Sequence, residues 1–214
     1  AGSARLTMDG NGHIATQNLG SYSFNNDTAN AKVFEVTGDG TAGEYGVINI
    51  SGNQNANNAN IGNIRFVNRE NSATNSGGSA NSRAIAGIQV YSVTSDNNAG
   101  DDSGGYMQFI TKPEGSGTSG AMIIDSNGRL LLGTITEGHA SADDLTIYNS
   151  GHGGITIRTG TTSNGAIFFS DATSGAAEYD GYVQYNHGSS PFMQFGVAQS
   201  AILYMLHDGT IQYR

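Results

Sequence analysis

The sequence predicts an all-β protein: elongated, fibrous modules of short antiparallel strands with a β-helix-like repeat, too poor in large apolar residues for one copy to be the folding unit. Three observations lead there. No stretch of a dozen residues has apolar side chains recurring near the 3.6-residue period of a helix. Short runs of alternating apolar and polar residues, bounded by Gly, Asn, Asp or Ser, recur along the whole chain. Gly, Ser, Asn and Thr supply 94 of the 214 residues, whereas Leu, Ile, Val and Phe supply 41. A net charge of −9 is too small for self-repulsion to hold such a chain open, so order rather than disorder is expected.

In chain order, alternation between turn signals predicts strands at Val33–Thr37, Gly46–Ser51, Gly62–Asn68, Ile85–Val93, Gly105–Thr111, Met122–Ile124 and Arg129–Gly133. A second series follows at Leu145–Tyr148, Gly154–Thr159, Ala166–Ser170, Gly181–Asn186, Phe192–Val197, Ile202–Leu206 and Thr210–Tyr213. The two series match element by element. Gly46-Val-Ile48-Asn-Ile50 answers Gly153-Gly-Ile155-Thr-Ile157, Gly62-Asn-Ile64-Arg-Phe66 answers Gly165-Ala-Ile167-Phe-Phe169, and Tyr106-Met-Gln-Phe109 answers Phe192-Met-Gln-Phe195. Six such correspondences in order imply two copies of one strand module, residues 32–134 and 142–214, the first carrying longer insertions. Residues 1–31 then hold the end of a preceding module and a connector.

Each module closes on an apolar pair, Asp, one or two small residues, Gly and an aliphatic residue: Met122-Ile-Ile-Asp-Ser-Asn-Gly128-Arg-Leu130 and Met205-Leu-His-Asp208-Gly-Thr-Ile211, with a third trace at Leu6-Thr-Met8-Asp-Gly-Asn-Gly12-His-Ile14. Chemically this is a hairpin. Asp accepts backbone N–H groups across the turn, and Gly takes the positive φ that a tight turn needs. The chain opens Ala-Gly-Ser without Met, as expected of a fragment or a processed form.

Composition also excludes. Nine Lys and Arg against 18 Asp and Glu repel nucleic acid and anionic lipid. No apolar run approaches the ~20 residues that span a bilayer, so no membrane insertion is expected. Without cysteine there is no disulfide, thiolate metal site or cysteine nucleophile.

Motifs that suggest chemistry have plainer explanations. Gly38–Gly43 and Gly115–Gly120 fit the spacing of a dinucleotide fingerprint, but strand-like sequence follows each where a helix N-terminus is required. Asp9-Gly-Asn-Gly12 and Asp125-Ser-Asn-Gly128 open like calcium loops yet carry Gly20 and Thr136 where the bidentate carboxylate belongs. His13, His139, His152, His187 and His207 lie in turn-like surroundings, and no pair has metal-ligand spacing. Asp101-Asp102 and Asp143-Asp144 would point to opposite faces of an extended chain, and Glu178 and Asp180 fall in a loop, which argues against a glycosidase dyad. Neither cofactor nor metal is expected.

Alternation puts Gln89 and Tyr91, Tyr182 and Gln184, Tyr106 and Gln108, and Phe192 and Gln194 on common faces. Such a face suits sugar rings, which stack on aromatics while amides bond their hydroxyls. An inter-subunit surface is the other reading, and the favoured one.

The phrases Met122-Ile-Ile-Asp-Ser-Asn-Gly-Arg-Leu-Leu-Leu-Gly-Thr134, Leu145-Thr-Ile-Tyr-Asn-Ser-Gly151, Gly154-Ile-Thr-Ile-Arg-Thr-Gly-Thr-Thr-Ser-Asn-Gly165 and Asp180-Gly-Tyr-Val-Gln-Tyr185 resemble bacteriophage tail fibres, in particular the distal repeat region of fibres from marine and cyanobacterial phages. The resemblance covers roughly 120–214 directly and 32–119 through the internal repeat. It implies an intertwined homotrimer in the virion tail, bound to other tail and fibre proteins, that attaches to a host surface glycan or outer-membrane protein. Under it Tyr91, Tyr179, Tyr182 and His187 are the candidate receptor contacts. The insertions at Asn53–Asn60, Asn71–Ser82, Thr94–Ser103 and Ser170–Asp180 are the candidate recognition loops. No enzymatic role is expected; a tail-spike glycan depolymerase, or a β-solenoid adhesin on a bacterial cell surface, are the alternatives. Open sheet edges and a thin core independently favour association of copies.

Overall fold

A computed structural model describes residues 45, 47–68, 84–95 and 103–214, together with the backbone of three short strands at 5–8, 14–17 and 34–36. The described chain is all-β and mostly antiparallel, with one 3-10 turn at Ala176–Tyr179. It divides into two compact units, Ala1–Asn149 and Ser150–Arg214.

The first unit holds two sheets. β1 (Arg5–Met8) and β2 (Ile14–Gln17) form an antiparallel hairpin, and β3 (Phe34–Val36) adds to β2 in parallel. The second sheet runs in sequence order through β4 (Asn60–Val67), β5 (Ala84–Val93), β6 (Gly104–Thr111), β7 (Ser119–Ile124), β8 (Leu130–Leu132) and β9 (Leu145–Ile147). Each neighbour is antiparallel except β9, which lies parallel to β8. Leu145–Ile147, expected to open the second module, is thus hydrogen-bonded into the first unit. The two parallel additions share one form: Ile14↔Phe34 to Thr16↔Val36, and Leu130↔Leu145 to Leu132↔Ile147.

The second unit is an antiparallel meander of β10 (Asn164–Phe169), β11 (Gly181–Asn186), β12 (Phe192–Val197), β13 (Ser200–Leu206) and β14 (Ile211–Tyr213). Its register repeats that of the larger sheet. Gln89 stands opposite Gln108 in one, and Gln184 opposite Gln194 in the other.

The closing motifs are hairpins in both units. Asp125 accepts the N–H groups of Asn127 and Arg129, and Asp208 that of Thr210, all at 2.9 Å. Gly128 and Gly209 take φ of 83° and 85°, a region glycine enters without steric cost.

Two expected strands do not form. Residues 47–51 and Gly154–Thr159 are outside every ladder, and 47–52 and 152–158 make no main-chain hydrogen bond to another described backbone group. Alternation specifies which way side chains face but supplies no hydrogen-bonding neighbour, and the described residues offer none there.

Burial is unusually one-sided. Among the described residues, the buried apolar side chains are Ala84, Ile110, Ile123 and Leu131. Ile110, Ile123 and Leu131 share the face of Gln108, which the loop 133–144 crosses: Gly138 donates to Thr146 Oγ1, and Asp143 pairs with Arg129. The opposite face carries the register rows Ile64–Ile88–Phe109–Met122–Leu132–Ile147 and Val90–Met107–Ile124–Leu130–Leu145, none of it buried. In the second unit Ile167–Val183–Phe195–Leu203–Tyr213 and Tyr185–Met193–Met205–Ile211 form the same kind of face, with Ile167 50% and Phe169 62% exposed.

Candidate functional site

In the first unit the polar face is built from two cross-strand rows. Asn63, Gln89 and Gln108 stand side by side on β4, β5 and β6, and Asn60, Tyr91 and Tyr106 form the next row. The Tyr91 and Tyr106 rings stack with centroids 5.0 Å apart and 12° between planes. The Tyr91 hydroxyl donates to Gln89 Oε1 at 2.9 Å, and the amides of Asn60 and Asn63 bond each other. Burial, followed by the neighbouring Tyr91 phenol, raises the Tyr106 hydroxyl above its ordinary value, so it stays a neutral donor. Beside it lies a cavity of ≈ 320 Å³ walled by Tyr106, Gln108, Ile123, Asp125 and Leu131 among others.

In the second unit Tyr182 lies over Gly196, where a Cβ would overlap its ring. Phe168 meets Tyr182 edge-on at 6.3 Å and Tyr179 at 6.3 Å, so the 3-10 turn brings two of the expected receptor contacts onto one aromatic cluster. The adjoining row is Gln184, Gln194, Tyr204 and Gln212. Arg214 covers the Tyr204 ring at 5.5 Å. His187 is elsewhere. It packs against Tyr185 at 4.7 Å, and the register sets Tyr185 on the apolar face with Met193 and Met205. Tyr91 belongs to the other unit.

Three acidic side chains, those of Asp125, Asp143 and Asp180, have partners within the fold. Arg129 Nε lies 2.7 Å from Asp125 Oδ2, and Arg129 Nη1 lies 2.9 Å from Asp143 Oδ2 and 3.7 Å from Glu137. Burial pushes the Asp125 carboxyl up, but hydrogen bonds from Arg129 and Asn127 outweigh it and hold the group below its ordinary value. Its Oδ1 serves the turn and its Oδ2 the Arg129 guanidinium. Asp144 accepts the Leu130 N–H through its carbonyl, and Asp180 Oδ1 accepts from Gln199 Nε2 at 2.7 Å. Gly115–Gly120 leads into β7, with no helix N-terminus to meet a pyrophosphate. Asp9–Gly12, Gly38–Gly43, Asp101-Asp102, His13 and most of the insertions 71–82 and 94–103 lie outside the described residues.

Sequence reading missed Phe168 and Tyr204. Alternation on β10 and β13 could have placed them, since Phe168 pairs with Tyr182 and Tyr204 with Gln194.

No family model and no curated protein matches the chain. A solved structure of the carboxy-terminal domain of the bacteriophage T5 L-shaped tail fibre with its intra-molecular chaperone domain is similar at 15% identity and a TM-score of 0.43, over 84% of this chain and 62% of that one. This chain therefore spans less than two thirds of that protein. A structure of the T5 fibre's carboxy-terminal domain alone is similar at 13% identity and a TM-score of 0.37, over 91% of this chain and 90% of that one.

Proposed function

We propose that the chain is a structural segment of a phage tail fibre of the distal, repeat-bearing type, assembled as a homotrimer in the virion tail and contributing to attachment to the host surface. The observation that carries this reading is the pair of charge-free apolar faces, one on each unit, left uncovered by the chain itself. Contiguous patches of this kind mark interaction surfaces. Their recurrence on two sheets of matching register suits repeated modules, each closed by threefold association.

Subunit contact is thereby assigned to the apolar faces. The Tyr, Gln and Asn face, with the Phe168, Tyr179 and Tyr182 cluster, is left for a receptor, either a host glycan or an outer-membrane protein. Stacking aromatics beside amides suits saccharide rings. The role needs no catalytic group, and of the carboxylates of the depolymerase alternative Asp143 is held in an ion pair with Arg129 and Asp180 accepts from Gln199.

Light scattering on the purified chain is expected to give three chain masses, and the protein is expected to bind host cells and block phage adsorption. A monodisperse monomer refutes the assembly. Failure to bind a host that the phage adsorbs to refutes the attachment role.

A further inference from the structure

Residues 47–50 and 154–157 read Val-Ile-Asn-Ile and Gly-Ile-Thr-Ile, and each run precedes the edge strand of a sheet, β4 and β10. Both are held in the same way. The Ile50 γ2 methyl fills the space where a Cβ on Gly62 would stand, and the Ile157 γ2 methyl lies 3.4 Å from the corresponding point on Gly165. Gly62 and Gly165 occupy equivalent places, opposite Val90 and Tyr185 on the apolar faces. Two residues earlier Ile48 and Ile155 are 64% and 66% exposed. Among the described residues neither run has a main-chain hydrogen-bond partner. Two residues past the second run stands Thr159, whose Oγ1 is the buried side-chain oxygen without a partner among the described residues.

An alternating strand sequence standing clear of any ladder is unusual once, because its backbone groups and isoleucines forgo the pairing they are suited to. Here it occurs twice, at matching positions. We infer that both runs are β-strands of the assembled protein whose ladder partner is a second copy of this chain. The apolar faces beside them decide for a second copy over a foreign partner. They carry no charge with which to select one, they recur on both units, and each is continuous with the anchored isoleucine. The inference rests on the self-association proposed above and names the segments that perform it.

Hydrogen exchange on the full chain, with its mass measured by light scattering on the same sample, tests this. The amides of 48–50 and 155–157 are expected to exchange at least about 100-fold more slowly than unstructured chain. An oligomer in which they exchange as open loops overturns this inference and leaves the fibre reading standing; a monomer overturns both. A one-sided ladder uses every second N–H, so one of Ile48→Pro and Asn49→Pro, and one of Ile155→Pro and Thr156→Pro, deletes a ladder N–H and is expected to raise the dissociation constant about tenfold over Ala at the same position, which keeps it. Equal assembly of the Pro and Ala variants at every one of these positions overturns the pairing. Should the Pro variants not fold, the exchange measurement decides alone.

Discussion

Ile167→Ala tests whether the apolar face of the second unit is an interior. Ile167 stands in the row Ile167–Val183–Phe195–Leu203–Tyr213 and is 50% exposed in the single chain. If that exposure persists in solution, only the covered half of the side chain contributes. Full burial of such a side chain is worth about 1.5–3 kcal/mol, so the loss is roughly 1 kcal/mol. If another copy covers the rest, truncation removes a fully packed side chain and leaves a cavity, costing about 2–5 kcal/mol per chain. For a protein of this size 1 kcal/mol moves the melting temperature about 2–4 °C, which separates a shift of a few degrees from one of about 6–12 °C at 3 kcal/mol. Melting is followed by circular dichroism at two protein concentrations a hundredfold apart, because association makes the midpoint depend on concentration. The larger shift with a concentration-dependent midpoint is expected. A shift of about 2–4 °C that is the same at both concentrations refutes the reasoning.

Acid should weaken the β7–β8 hairpin. Asp125 titrates below its ordinary 3.8 when folded, so its contribution is present above that value and is lost as pH falls through the lower, folded one; Asp125→Asn should flatten stability against pH in that range, and an unchanged profile contradicts it. Gly196→Ala places a methyl against the Tyr182 ring and should cost about 1–3 kcal/mol while altering the near-ultraviolet dichroism of the tyrosines; a wild-type spectrum contradicts the close packing. Ser92 is buried, donates to the Ala56 carbonyl at 2.7 Å and accepts from the Ala59 N–H at 3.2 Å. Ser92→Ala should therefore cost about 1–3 kcal/mol in chemical unfolding and speed exchange at Ala59, and a neutral result argues against the clamp.

Much of the architecture is legible from local chemistry. Asp125 and Gly128, or Asp208 and Gly209, suffice to predict a hairpin, because one oxygen and one positive φ close the turn wherever they occur. The polar row is legible too, since Gln89, Gln108, Gln184 and Gln194 hold a fixed place in a period of two. His187 could not be placed this way. It follows the end of β11, where alternation no longer dictates a side, and it packs on Tyr185 rather than Tyr182.

By itself the sequence determined the all-β class, the turns and the sorting of residues between two faces, all consequences of how one residue relates to its near neighbours. Tertiary structure alone decided which runs find a partner. Leu145–Ile147 joins β8 in parallel, while 47–50 and 154–157, with an equally strand-like pattern, join no strand among the described residues. It alone showed also that the large apolar faces stay uncovered. The physical reason is that a ladder needs a second backbone alongside the first, and its presence depends on contacts remote in sequence or in another copy of the chain.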